Sequence, residues 1–142
     1  MKIKILIADD EKEFVETLAE RLEMRDFSVT TVCSGEGAIE IAEKVNFDVI
    51  VLDVNMPEVT GIDALKQIKK TKPLVPVIML TGEATVQNAI QGMKLGAFDF
   101  LMKPADTDLL SEKIIQAHAL KHEHEERIRQ AEIENILKTR GW

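Results

Sequence analysis

The sequence predicts an α/β fold: a doubly wound, five-stranded parallel sheet with helices on both faces. Three observations carry that expectation. Short apolar runs rich in Val, Ile and Phe alternate with segments whose apolar residues recur every three to four positions. The connections are short, and β-then-α units joined in that way imply parallel strands with a helix in each crossover. The middle run, Val49-Ile50-Val51-Leu52, is apolar without interruption, as a strand covered on both faces must be.

The elements alternate along the chain. A first strand is expected over Ile3–Ala8, then a helix from the stripe Phe14, Leu18 and Leu22 with Val15 and Ala19 beside it. A second strand over Ser28–Val32 leads into a helix marked by Ala38, Ile41, Ala42 and Val45. The third strand, Val49–Leu52, precedes a stripe of Ile62, Leu65 and Ile68. The fourth, Val77–Leu80, precedes Val86, Ala89, Ile90 and Met93. The fifth, Phe98–Met102, precedes Leu110, Ile114 and Ala117. Gly61 and Gly96 fall where the chain must turn into or out of a helix.

At 142 residues the chain suits one domain, expected over residues 1–120, with a charged helical extension over 121–142. The net charge of −7 argues against direct nucleic-acid binding, which needs a basic footprint. The single Cys33 excludes an intramolecular disulfide and fits a reducing compartment. Behind Lys2 and Lys4 the apolar run Ile5–Ala8 is too short for a signal-peptide core, and no stretch approaches a membrane span. The expected location is cytoplasmic.

Function enters through the polar residues at the strand ends. The first strand ends in Asp9, Asp10 and Glu11, the third in Asp53, the fourth in Thr81 and the fifth in Lys103. In an open parallel sheet these ends share one edge, where ligands bind beside the topological switch point. An isolated Asp after a strand is ordinarily a helix cap or turn former. By that reading Asp9 or Asp10 would cap the first helix, Thr81 the fourth and Asp106 the last. Capping does not explain why acids crowd the first and third strands while a lysine ends the fifth. Neighbouring carboxylates repel and raise one another's pKa unless a positive charge joins them, and an all-oxygen site suits Mg²⁺. A carboxylate can also act as nucleophile and form an acyl phosphate. Asp53, on the central strand, is the expected acceptor; Asp9 and Asp10 would hold the metal, Asp10 more directly. Lys103 would pair with one phosphoryl oxygen and the Thr81 hydroxyl with another.

At these residues the chain resembles a two-component response-regulator receiver domain, in the segments ADDE, LDVNMPEVTG, MLTGE and GAFDFLMKP, over about residues 3–120. The resemblance implies the flavodoxin-like strand order 2-1-3-4-5 and phosphorylation of Asp53 by a sensor histidine kinase. It implies Mg²⁺ bound by Asp10, Asp53 and the backbone carbonyl of Asn55, and a cis peptide at Lys103–Pro104. Thr81 and Phe100 occupy the family's switch positions; Asn55 and Glu83 occupy those that tune loss of the phosphoryl group. Such a domain is a phosphoacceptor, not an enzyme acting on an external substrate; its chemistry is its own phosphotransfer and slow autodephosphorylation. Its responsive face would be the fourth helix, fifth strand and fifth helix, used for a homodimer or a downstream protein partner.

A competing class, phosphatases resembling haloacid dehalogenases, also places an aspartyl nucleophile after an apolar strand. Those enzymes need a second acid two residues on, and here that residue is Asn55, which cannot serve as general acid–base. In the tail, KHEHEER (121–127) interrupts any coiled-coil seam, while Ile128, Ile133, Ile136 and Leu137 resume an apolar pattern. That pattern suits either a helix end that folds back on its own domain or frays, or a contact with a partner or a second copy. His118, His122 and His124 read as part of a solvated charged face. About twenty residues cannot house a helix-turn-helix output module. The signal is therefore expected to leave through protein contacts; the alternative is the receiver portion of a larger transcriptional regulator.

Overall fold

The structure, a computed structural model, describes residues 1–82 and 86–139. Strands and helices alternate as β1 (Lys4–Ala8), α1 (Lys12–Glu23), β2 (Ser28–Val32), α2 (Gly35–Lys44), β3 (Val49–Asp53), α3 (Gly61–Thr71), β4 (Val77–Thr81), α4 (Val86–Lys94), β5 (Asp99–Met102) and α5 (Thr107–Thr139). All the strands run parallel in the order β2-β1-β3-β4-β5, the order the resemblance implies.

Successive side chains on a strand point to opposite faces, so the sheet has two cores. Leu6, Ala8, Ile50, Leu52 and Met79 pack with Ala38 and Ala42 of α2 and with Ile62, Leu65 and Ile68 of α3. Ile5, Ile7, Val49, Val51, Ile78 and Leu80 pack on the other side with Val15, Leu18 and Leu22 of α1 and Leu110, Ile114 and Ala117 of α5. The register keeps this alternation coherent: Leu6 lies beside Ile50 and Ile7 beside Val51. Burying a side chain of this size contributes about 1.5–3 kcal/mol.

One helix departs from its expected face. On α4, Ala89 and Gly92 are buried, whereas Ile90 and Met93 are 48% and 37% exposed. Gly92 supplies the reason. A Cβ there would lie 3.3 Å from Ile62 Cδ1 and 3.5 Å from Met79 Cγ, so α4 approaches the core backbone-first and turns its larger side chains outward.

The helix starts are well capped elsewhere. Ser34 Oγ accepts the Gly37 N–H, and Thr60 and Asp63 form a reciprocal capping box at α3. Asp106 Oδ1 accepts from the N–H groups of Asp108 and Leu109, so Asp106 caps α5 as expected. The capping reading fails for Asp9 and Asp10, since α1 begins after Glu11 with no side-chain cap; a cap by Thr81 on the fourth helix would fall on residues outside those described.

α5 runs unbroken for 33 residues, about 50 Å. Beyond Glu126 every described residue of it is exposed, Ile128, Ile133, Ile136 and Leu137 included, so the fold-back reading of the tail is not what forms. Continuity through the polar stretch is supported by the ion pairs Lys121–Glu125, Arg127–Glu123 and Arg129–Glu126. Among the described residues no helix is long and apolar enough to cross a membrane.

Candidate functional site at the strand ends

Because every strand points the same way, the polar residues after β1, β3, β4 and β5 gather at one edge. Asp53 is the last residue of β3, and only 4% of it is exposed. The chain leaving it is held tightly: the Val54 N–H donates to the Leu80 carbonyl (2.8 Å) and the Gly61 N–H to the Val54 carbonyl (2.9 Å). A Cβ on Gly61 would sit 2.1 Å from the Asp53 carbonyl oxygen, so glycine is required for α3 to start against the strand end. Glu58, in the same connection, holds φ at 64°, a left-handed conformation that costs a non-glycine residue about 1 kcal/mol.

Asp9 is fully buried and Asp10 exposed, and each offers a carboxylate oxygen within 4.8 Å of the others' and of Asp53's. Asp9 Oδ1 accepts the Glu11 N–H at 2.9 Å. Asp9 Oδ2 lies 2.7 Å from Lys103 Nζ, a close charge contact without aligned hydrogen-bond geometry, and accepts no hydrogen bond. Lys103 reaches inward across a cis Lys103–Pro104 peptide. Its ammonium also stands 3.2 Å from Glu11 Oε1, 3.4 Å from Asp53 Oδ1 and 4.8 Å from the centroid of the Phe14 ring.

This crowding shifts the titrations. Burial, then the charge of Asp9, push Asp53 up to about 6, only partly countered by Lys103 and the Asn55 backbone N–H. Burial also raises Asp9, against the lowering effects of Lys103 and the Glu11 N–H. For Lys103, burial alone would lower the pKa, but Asp9, Asp53 and Glu11 together raise it. Three carboxylates converge on one ammonium, leaving excess negative charge and a buried acceptor with no hydrogen bond. A hard divalent cation with oxygen preference, such as Mg²⁺, fits that donor set. Among the described residues, Asp9, Asp10 and Asp53 are the one group of three acids, histidines or cysteines close enough to hold a metal; neither Glu11 nor the three tail histidines are part of it.

The structure thus brings Asp9, Asp10, Asp53 and Lys103 together. Thr81 is buried at the same edge, its hydroxyl donating to the Gly82 carbonyl at 2.9 Å while its own carbonyl accepts the Lys103 N–H. Asn55 is exposed, two residues past the acceptor. Phe100 is half-buried against the α2–α3 core, beside Met79, and not at the acidic mouth itself. Glu83 lies outside the described residues. Sequence reasoning gave no role to Glu11 and read Phe14 as core alone; the available signal was a third acid directly after the Asp pair.

An open parallel sheet with an acidic, lysine-closed mouth at its carboxyl edge is the architecture of doubly wound α/β domains, whose ligands bind at that edge. The chain belongs to the response-regulator receiver family: the family model described as "Response regulator receiver domain" matches residues 5–115. Among curated relatives, it is 38% identical over 119 residues to the transcriptional regulatory protein ZraR of Salmonella typhimurium, covering 83% of this chain and 27% of ZraR. It is 42% identical over 101 residues to the transcriptional regulatory protein CpxR of Escherichia coli, covering 71% of this chain and 43% of CpxR. The chain therefore spans about a quarter to under half the length of these relatives. A receiver domain protein from Clostridium thermocellum superposes with TM-score 0.81 at 37% identity, over 84% of this chain and 96% of that one.

Proposed function

We propose that this receiver accepts a phosphoryl group on Asp53 from a sensor histidine kinase, with Mg²⁺ held by Asp10, Asp53, Asp9 and the Asn55 carbonyl. The observation that carries the reading is a nearly buried Asp53 carboxylate set between two further aspartates and the Lys103 ammonium. A carboxylate oxygen of Asp53 attacks phosphorus, an O–P bond forms, and the bond from phosphorus to the donor breaks, the donor leaving with that electron pair. Mg²⁺ would neutralise charge on the equatorial phosphoryl oxygens. The chain's own residues do the remaining work. Lys103 swings its ammonium toward one phosphoryl oxygen and Thr81 its hydroxyl toward another, while Asn55, exposed two residues past the acceptor, borders the path of attacking water; a rate-tuning role for Glu83 rests on its place in the sequence motif alone.

The mark acts by shifting an equilibrium between two arrangements of Thr81, Phe100 and α4. Moving such a balance from mostly off to mostly on takes about 5.5 kcal/mol, more than one charge-assisted contact supplies. The output surface is α4, β5 and α5, where Ile90, Met93, Met102 and Leu109 are exposed on three adjoining elements. It serves a homodimer or a downstream protein partner in the cytoplasm. A second reading of the output is favoured by the fraction of ZraR and CpxR that this chain spans: the domain would act as the receiver of a larger transcriptional regulator.

Acetyl phosphate with Mg²⁺ should add one phosphoryl mass to the chain, on the peptide carrying Asp53, and chelation should suppress it. Asp53→Asn should abolish the gain. Undiminished acyl-phosphate labelling in that variant rules the acceptor out.

A further inference from the structure

Three carboxylates claim the Lys103 ammonium, and one of them has no part in the phosphoryl transfer. Asp9 and Asp53 are nearly buried, while the Glu11 side chain is 66% exposed and stands on the solvent side of the mouth. Asp9 Oδ2 is the nearest carboxylate oxygen to Lys103 Nζ, at 2.7 Å, but without hydrogen-bond geometry; Glu11 Oε1 accepts a hydrogen bond from the ammonium at 3.2 Å, and Asp53 Oδ1 stands farther off at 3.4 Å. The Phe14 ring lies under the same ammonium, 4.8 Å from its centroid, a distance at which the face of the ring attracts a cation. The ammonium is thus seated on groups contributed by the start of α1, Glu11 and Phe14, as well as on the acids of the mouth.

We propose that Glu11 is a positioning residue that parks Lys103. It holds the ammonium toward the α1 side of the mouth, and a phosphoryl oxygen on Asp53 must draw the lysine away from it. This deepens the proposed phosphoacceptor reading and rests on it. The parking is selective because it needs no rearrangement of the sheet. Lys103 pivots on a fixed backbone, its N–H tied to the Thr81 carbonyl, and only the end of a flexible side chain moves. The Glu11 side of the pair is open to water, 66% exposed against 16% for Lys103, so solvent screens the contact and keeps it weak enough to be surrendered in every cycle.

The test is a cycle of variants on the full chain with saturating Mg²⁺: wild type, Glu11→Ala, Lys103→Ala and the double variant. Labelling by acetyl phosphate is measured together with the side-chain Nζ resonance of Lys103 in unlabelled protein. Glu11→Ala should speed labelling about two- to fivefold, the scale of an exposed ion pair. In the Lys103→Ala background the same change should do nothing, since no ammonium remains to be parked. The Lys103 Nζ resonance should move in Glu11→Ala. Equal acceleration in both backgrounds would mean that Glu11 merely repels an anionic donor, and the proposal falls. It falls equally if the Nζ resonance stays where it is in wild type. Absence of labelling in every variant would instead overturn the acceptor role of Asp53, and the resonance would still decide whether Glu11 seats the lysine.

Discussion

α3 and α4 cover the same face of one sheet, yet they are held in different ways. α3 buries Ile62, Ala64, Leu65 and Ile68, starts on a capping box and abuts the Asp53 carbonyl through Gly61. Among its described residues α4 buries only Ala89 and Gly92 and leaves Ile90 and Met93 outside. The helix that fixes the acceptor is anchored by a full apolar stripe; its neighbour rests on two small residues. The difference teaches how a rigid site and a responsive surface share one scaffold. The energy that orders the mouth is spent under α3, and little remains to resist a shift of α4.

The largest expected effect tests the anchor. Leu65 is fully buried, so Leu65→Ala should cost about 2–5 kcal/mol of unfolding free energy in urea, transfer and cavity terms together. A loss below about 1 kcal/mol would erase the contrast between the two helices.

Next comes the electrostatic cost of the acceptor that α3 holds in place. Asp53 is raised from 3.8 to about 6, so between those values the folded, metal-free chain binds more protons than the unfolded one. Its stability should therefore fall as pH rises from about 4 to about 6 and stay lower above, by up to about 3 kcal/mol for this group. Asp9, raised as well, adds the same sign. Asp53→Asn should flatten the profile and stabilise the metal-free chain at pH 7. Mg²⁺ should stabilise it more at pH 7 than at pH 5, because cation and proton compete for the same oxygens. Thermal melts across pH, with chelator and with Mg²⁺, read all three.

A smaller effect belongs to the start of α3. Thr60→Ala removes the side-chain half of the capping box and should cost about 1 kcal/mol. Hydrogen exchange should then rise in the first turn of α3 while staying unchanged in β3, unless the cap is not what holds the helix against Asp53.

Much of this was legible in the sequence because it rests on short-range pattern. The uninterrupted VIVL run and the stripes of α1, α3 and α5 placed every strand to within a residue and both cores in outline. Asp9, Asp10, Asp53 and Lys103 were legible because a parallel sheet must bring its strand ends together. The misses depend on contacts between elements. The periodicity of α4 marks Ile90 and Met93 as apolar but cannot say that Gly92 draws the helix in on its other side. Phe14 has the spacing of a core residue and also lies under Lys103, a contact made only when the chain leaving β5 brings the lysine over the first turn of α1. The helical extension was legible too, although KHEHEER carries no apolar seam, because an exposed helix is supported there by ion pairs one turn apart.

The smallest expected change in stability is the most diagnostic of the comparison. Ile90→Ser on α4 should alter unfolding free energy by no more than about 0.5 kcal/mol, since half of the side chain is already in water and no cavity opens beneath it. Its effect should fall instead on association. If Ile90 and Met93 are outward because a partner or second copy covers them after Asp53 is marked, the variant should leave acetyl phosphate labelling intact while weakening any size increase that labelling produces. An Ile90→Ser chain that is destabilised like Leu65→Ala would show α4 to be a second anchor. One that is stable and associates as wild type does would leave α4 loosely held but move the output surface elsewhere.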